Sequence, residues 1–204
     1  MPGRYDSGYS TCPCFWGVSP GSIVRLLDDH IKSYEGLHVL DVGCGDGRNA
    51  AYLGERGAAV MAFDISELAI ANARANWSSI KSVTWSVGAV RYTPLHGHRF
   101  DIVVAAGLFH CLTDADEIVE AIATLKGATK PGGYHAVSAL NSRRPQDKRA
   151  HPDFDPYLLA HSTYIGLYED WNIIYTADVD LVETHPHNSI QHPHAMTRLI
   201  VRAP

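Results

Sequence analysis

Residues 39–48 read Val39-Leu40-Asp41-Val42-Gly43-Cys44-Gly45-Asp46-Gly47-Arg48. The apolar run Leu37–Val42 leads into this stretch and reads as a buried strand. Arg48–Arg56 leads out of it and reads as a helix. The glycines therefore sit on a strand-to-helix turn. Glycine lets the backbone turn tightly and lets a ligand touch it without a side-chain clash. The helix start beyond offers unpaired N–H groups. A dinucleotide fingerprint, G-x-G-x-x-G, packs a pyrophosphate on that helix. This loop is G-x-G-x-G, with an acid two residues before the first glycine. A carboxylate there repels a pyrophosphate and suits a cationic ligand end. The next apolar run, Ala58–Phe63, delivers Asp64, 23 residues after Asp41. An acid at the end of the second strand is where a ribose diol is held. The pattern asks for a nucleoside with a positively charged tail.

Outward from this motif, strand and helix patterns alternate. Ile23, Leu26, Leu27, Ile31 and Tyr34 recur at helical spacing over residues 21–34, with Ser19 as cap and Pro20 in the first turn. Gly57 ends the helix after the glycine loop. Ser66 opens an alanine-rich helix to Asn76. Val83–Val87 is a third strand and Phe100–Ala106 a fourth. Thr113 caps the next helix, with Asp116 three residues on, and Gly127 closes it. Gly133–Leu140 is a further strand. Alternation from residue 21 to residue 140 means parallel strands with crossover helices on both faces. Residues 141–153 read as a polar loop, with a short helix near Pro156–His161. Trp171–Thr184 and Ala195–Arg202 are β-rich runs joined by His185–His194, which suggests an antiparallel hairpin.

The 204 residues are 46% hydrophobic and 19% charged, with a formal net charge of -5. That is one domain able to bury a core without disulfides. An acidic balance argues against a grip on nucleic acid. No apolar run approaches the roughly 18 residues of a membrane span. Met1–Asp6 lacks the apolar stretch of a signal peptide. The expectation is a cytoplasmic protein, monomeric or homodimeric, whose partner is a small molecule rather than nucleic acid or membrane. Cys12 and Cys14 have no second short-spaced pair, since Cys44 and Cys111 stand apart, so a four-cysteine zinc site is excluded.

The run D-x-G-C-G-x-G-R-N from Asp41 to Asn49, followed by Asp64, resembles the S-adenosylmethionine-dependent methyltransferases of the Rossmann-like class, over roughly residues 20–204. Within that class, GCGDGRNAAYLGERGAAVMAFDIS resembles the tellurite-resistance methyltransferase group, whose members carry GCG-x-GRN-x-x-YLA-x-x-G. Tyr168-Glu169-Asp170-Trp171 looks like that group's Y-E-x-W segment. The resemblance implies an α/β fold: a seven-stranded, mostly parallel sheet in the order 3-2-1-4-5-7-6, with an antiparallel last strand and helices on both faces. It implies one domain over 1–204, with residues 1–20 as a lid segment and 141–165 as a variable loop and helix over the active site. By the same resemblance Asp41 anchors the methionine ammonium, while Gly43, Cys44 and Gly45 give the backbone approach. Asp64 takes the ribose hydroxyls and Ile65 packs against adenine. Ala89 and Val90 meet adenine through their backbone, because no acid follows the third strand. Ala105 or Ala106 lies under the methionine part, and Trp16 closes over the cofactor.

Methyl transfer from a sulfonium is an in-line displacement, for which the protein supplies alignment and exclusion of water. A base is needed only when the nucleophile carries a proton. In an open parallel sheet the reaction lies beyond the carboxyl ends of the strands. That places His110, Asn141, Tyr9 and the late loops near the substrate. Strand alternation puts His192 and His194 on one side, and His185 with His187 on one side. Three readings of this run stand: a substrate wall with His192 or His194 as base and His185 as polar contact, a metal site, or a solvated turn. His110 reads equally as a base or as a wall residue bonded to backbone. Arg143, Arg144, Lys148 and Arg149 read as a solvated loop or as a greeting for an anion. An NAD-dependent oxidoreductase, or a non-catalytic metal-binding module built on His185–His194, are the rivals. Wrong glycine spacing counts against the first.

Overall fold

The computed structural model describes residues 5–95, 97, 99–145, 148, 154–184 and 190–204. Three strands form its middle: β1 (His38–Val42), β4 (Phe100–Ala106) and β5 (Thr129–Leu140). Val39, Leu40, Val42, Ile102, Val103 and Val104 have no exposed surface. A strand buried on both faces needs cover on both sides. Two cores supply it, and side chains alternate between them as the pleat requires. Leu40, Val42, Val103 and Ala105 point into one core. Val39, Ile102, Val104 and Ala136 point into the other.

The remaining strands are β2 (Ala59–Asp64), β3 (Val83–Val87), β6 (Asn172–Glu183) and β7 (His192–Arg202). The seven strands run in the order β3-β2-β1-β4-β5-β7-β6. The first five are parallel, while β7 is antiparallel to both β5 and β6. The sheet is therefore the one the resemblance implies. The helices are α1 (Asp6–Thr11), α2 (Ser22–Arg25), α3 (Arg48–Gly54), α4 (Glu67–Asn76), α5 (Ala115–Gly127) and α6 (His161–Gly166).

Several local expectations are corrected. The helix over 21–34 is only α2 followed by a 3₁₀ turn at Leu26–Asp29, and its N-cap is Gly21 rather than Ser19. Asp28 accepts from both Tyr34 Oη at 2.8 Å and Tyr52 Oη at 2.5 Å, which draws the chain out of the helix after one turn. The cap of α5 is Asp114, accepting from Glu117 N at 2.8 Å, while Thr113 bonds the Glu117 carboxylate. The late helix, α6, starts at His161, where the Pro156–His161 segment ends. Strand β7 begins three residues earlier than its apolar pattern, and so takes in His192 and His194.

The 141–144 turn clamps onto β6. Arg143 pairs with Asp178 and Asp180, and Arg144 with Asp180. Lys148 pairs with Asp155. These cations are spent on neighbouring carboxylates, so the reading as a greeting for an anion gains nothing; Arg149 lies outside the described residues.

Candidate active site

The parallel strands end on one side of the sheet, where β1, β2 and β4 pass into loops. Gly45 and Gly47, in the loop after β1, have φ of +56° and +89°. A Cβ at Gly45 would meet Tyr9 Oη at 2.8 Å, and one at Gly47 would meet the Trp85 ring at 2.5 Å. Only glycine reconciles that conformation with that crowding. The loop is held by the acids it was expected to serve. Asp64 accepts from Gly45 N and from Ser66 N, each at 2.9 Å. Asp46 accepts from Trp16 N at 3.0 Å.

Asp41 is 1% exposed and lies on the β1 face that carries Val39. Burial pushes its carboxyl up to about 7, against the lowering effect of the Ala50 backbone N–H. Its Oδ2 is buried without a hydrogen-bond partner. A buried, unsatisfied carboxylate oxygen is costly. A ligand ammonium would relieve it, which is the first fit to S-adenosylmethionine. Asp64, also pushed up by burial, stands at the end of β2, and Ile65 beside it is 46% exposed, an apolar side chain left for a flat ring to cover. Val90 is buried in the core, and Ala105 beside it on β4 likewise. Ala106 is half-buried at the end of β4. Cys44 is buried, its thiol pushed well up by burial, so it is a packing residue of the loop.

The N-terminal segment straps this loop. Trp16 Nε1 donates to Tyr9 Oη at 2.9 Å, Asn72 Nδ2 to Tyr9 O at 2.9 Å, and Asn76 Nδ2 to Pro13 O at 2.8 Å. Arg48 donates to the Trp16 carbonyl. Tyr9, Phe15 and Ala69 form a small core of their own, with Tyr5 and Trp16 packed on it. Tyr5 also lies against Phe154, ring centroids 5.1 Å apart, so the strap reaches the segment after β5.

The histidines differ in protonation chemistry. His110, in the 3₁₀ turn Phe109–Cys111, accepts from Leu140 N at 3.2 Å through Nδ1. A backbone N–H can only donate, so the neutral ring carries its proton on Nε2. Bonded in this way, His110 has the backbone contact that the wall reading describes. His192 is the reverse: Nδ1 lies 2.8 Å from Ile190 O, an acceptor, so the lone pair is on Nε2. His192 and His194 are buried, ring centroids 4.6 Å apart, and His194 Nε2 lies 3.4 Å from Glu183 Oε1. The reading of this run as a solvated turn is corrected for these two residues. His185 and His187 lie outside the described residues.

Asn141 is drawn away from substrate. Its amide donates to Asp178 at 2.9 Å and Thr197 at 3.1 Å, and accepts from Arg143 N at 3.0 Å. It ties β5 to β6 and β7. Sequence reasoning gave no role to Asp46 or Asn72, and it left Glu183 out of the site. Burial lowers Arg48 and raises Glu183, and each charge opposes that shift in the other. The cross-strand pairing of Glu183 with His192 is the signal that would have found it, had the turn length been known.

Residues 39–133 match the family profile of a methyltransferase domain. The matched segment runs from β1 into β5 and so takes in the glycine loop and Asp64. A ubiquinone biosynthesis O-methyltransferase of Thiobacillus denitrificans is 39% identical over 108 residues, covering 52% of this chain and 45% of that protein. The protein of the same name in Acinetobacter baylyi is 30% identical over 126 residues, 60% of this chain and 51% of that one. This chain thus spans about half the length of the curated relatives it matches. TehB from Haemophilus influenzae shares the fold with a TM-score of 0.69 at 20% identity, over 90% of this chain and 62% of that one. The N-methyltransferase NodS from Bradyrhizobium japonicum, in complex with S-adenosylhomocysteine, does so at 0.67 and 15%, over 89% and 84%. The [4+2]-cyclase SpnF does so at 0.72 and 15%, over 100% and 97%. A cyclase among these neighbours shows that the methyltransferase fold alone does not set the reaction.

Proposed function

We propose that this protein transfers the methyl group of S-adenosylmethionine to a small molecule held between the glycine loop and the β6–β7 hairpin. The observation that carries the reading is the unpartnered Oδ2 of buried Asp41, two residues before the glycine loop, with Asp64 at the end of β2. An acid pair with that spacing suits a nucleoside whose tail is cationic.

When bound, the cofactor supplies a sulfonium methyl as electrophile. The rest is done by the chain. Asp41 holds the ammonium, and Asp64 the ribose hydroxyls. Ile65 covers adenine, and the backbone of Ala89 and Val90 borders it. Gly43, Gly45 and Ala106 let the methionine part lie close to the main chain. The strap of Tyr9 and Trp16 excludes water, which strengthens each electrostatic contact. His110 offers Nε2–H to an acceptor oxygen on the substrate. A proton on the nucleophile must leave as the methyl carbon is attacked, and the hairpin bearing His192 and His194 is the side towards which it leaves. The O-methyltransferase relatives favour an oxygen nucleophile, and the resemblance to the tellurite-resistance group favours a chalcogen.

Calorimetric titration with S-adenosylhomocysteine and S-adenosylmethionine, with NAD as control, tests the reading. Micromolar binding of the sulfur nucleosides and none of NAD is expected. Binding of NAD alone overturns it in favour of an oxidoreductase.

A further inference from the structure

We infer that Glu183, His192 and His194 form a binding site for one divalent transition-metal ion, on the β6–β7 hairpin. The inference concerns ion binding by the hairpin; only the ion's part in catalysis rests on the methyl-transfer reading.

Each of the three residues offers one ligand atom, and these atoms lie within 4.8 Å of one another. The pairing register makes this possible. Glu183 stands directly opposite His192, and His194 lies two residues along the same strand, opposite Leu181. Alternation on β7 turns His192 and His194 to the same face. On β6 the odd-numbered residues from Tyr175 to Glu183 are the less exposed ones, so Glu183 joins them there. The His194 Nε2–Glu183 Oε1 separation is 3.4 Å. Two ligands at ~2.0–2.1 Å from a tetrahedral zinc ion stand roughly 3.3 Å apart. One edge of the polyhedron is therefore already the right length, and the other two are no longer than 4.8 Å.

The chemistry of the donor set agrees with the distances. Two imidazoles and one carboxylate, with at least one position left open, is the ligand set of catalytic rather than structural metal sites. His192 has the support expected of a ligand: its Nδ1–H is donated to the Ile190 carbonyl at 2.8 Å, which fixes the ring and leaves the lone pair on Nε2. An ion here carries no cost of assembling the ligands from separate loops, because the hairpin holds them. Burial of both histidines, at 0% and 3% exposure, sets two nitrogen ligands away from water, with the entry path on the Glu183 side.

The cluster lies beyond the carboxyl end of β5, whose last residue, Leu140, pairs with Met196, on the side where β1, β2 and β4 enter their loops. The open position would take the oxygen or sulfur of the methyl acceptor. Bound as its anion, with its proton released to water, the acceptor attacks the methyl carbon as the carbon–sulfonium bond breaks and its electron pair returns to sulfur. No side-chain base is then needed, because the metal lowers the acceptor's pKa.

The test uses untagged protein, stripped with a chelator and titrated with Zn²⁺ by calorimetry, with Co²⁺ absorption as a second readout. One equivalent of Zn²⁺ is expected, with a visible Co²⁺ spectrum of low coordination number. Glu183→Gln, His192→Ala and His194→Ala should each weaken Zn²⁺ at least about 100-fold, above the effect of losing a mere supporting contact. His30→Ala, on the exposed turn after α2, should not. Zn²⁺ should raise the unfolding temperature of the wild type and not of Glu183→Gln, whose side chain is partly exposed and whose fold is retained. Full Zn²⁺ affinity in Glu183→Gln and His192→Ala, or no saturable binding in a protein that still binds S-adenosylhomocysteine, overturns the inference. Stoichiometric Zn²⁺ in a protein that binds no sulfur nucleoside upholds the site and removes the methyl-transfer reading instead.

Discussion

The glycine loop after β1 and the turn end of the β6–β7 hairpin both lie at the carboxyl end of the parallel strands, yet they hold their polar groups by different means. At the loop the carboxylates are held by backbone: Asp64 by Gly45 N and Ser66 N, Asp46 by Trp16 N. At the hairpin the polar groups meet across a strand pair, with Glu183 Oε1 3.4 Å from His194 Nε2, and His192 Nδ1 also has the Ile190 carbonyl. Backbone donors hold a carboxylate wherever the loop conformation recurs. Cross-strand contacts exist only at one register, and a one-residue slip would turn every side chain to the other face. The loop's grip is therefore set by local backbone, and the hairpin's by pairing register.

The largest expected effect tests the floor beneath the hairpin. His135 on β5 is fully buried, bonded to Tyr168 Oη and Thr129 Oγ1, and burial lowers its pKa to about 3. The unfolded chain takes that proton near pH 6.5 and the folded chain does not until about pH 3. Stability is therefore lost as pH falls through this window, by about 5 kcal/mol in all. His135→Gln should flatten the fall in urea-unfolding free energy between pH 7 and 4.5. An unchanged slope would assign the acid sensitivity to other groups.

Next in size is the loop's own grip. Asp64→Ala should weaken S-adenosylhomocysteine about 100-fold by calorimetry, since it removes charge-assisted bonds worth about 1.5–3 kcal/mol each. The same variant should leave Zn²⁺ binding at the hairpin unchanged, which would sharpen the division between the two regions. Coupled loss of both would break it.

Asp41 gives a smaller, pH-dependent effect. Its carboxyl titrates at about 7 in the free protein. Only the ionised form holds an ammonium, so affinity for S-adenosylhomocysteine should fall as pH drops below 7, approaching about tenfold per pH unit. For the empty fold the sign is opposite: the raised pKa favours folding below pH 3.8 and loses that benefit as pH rises through 7. Asp41→Asn should remove the pH dependence of binding. Persistence of the same pH profile in that variant would place the titrating group elsewhere.

The smallest effect concerns the strap. Asn72→Ala removes the bond to the Tyr9 carbonyl, worth about 1 kcal/mol. Hydrogen exchange in α1 should quicken about fivefold, with little change in exchange of the hairpin. Equal quickening at the hairpin would mean that strap and hairpin open together.

The sequence by itself determined the alternation of strands and helices, the glycine turn, Asp41 and Asp64, and the hairpin after the last crossover. Those features are written in short windows: a pleat of period two, a glycine where φ is positive, an acid at a strand end. The strand order came from family resemblance. Tertiary structure alone decided what each polar group does. Asn141 lies where a substrate residue was expected, but Asp178 and Thr197 from other strands claim its amide. His110 reads equally as base or wall in sequence, and its bond from Leu140 N, 30 residues away, exists only in the fold. Glu183 joins His192 and His194 through pairing register, which no local pattern records. Local conformation depends on neighbours in the chain. Protonation state and donor geometry depend on neighbours in space, and these exist only once the chain has folded.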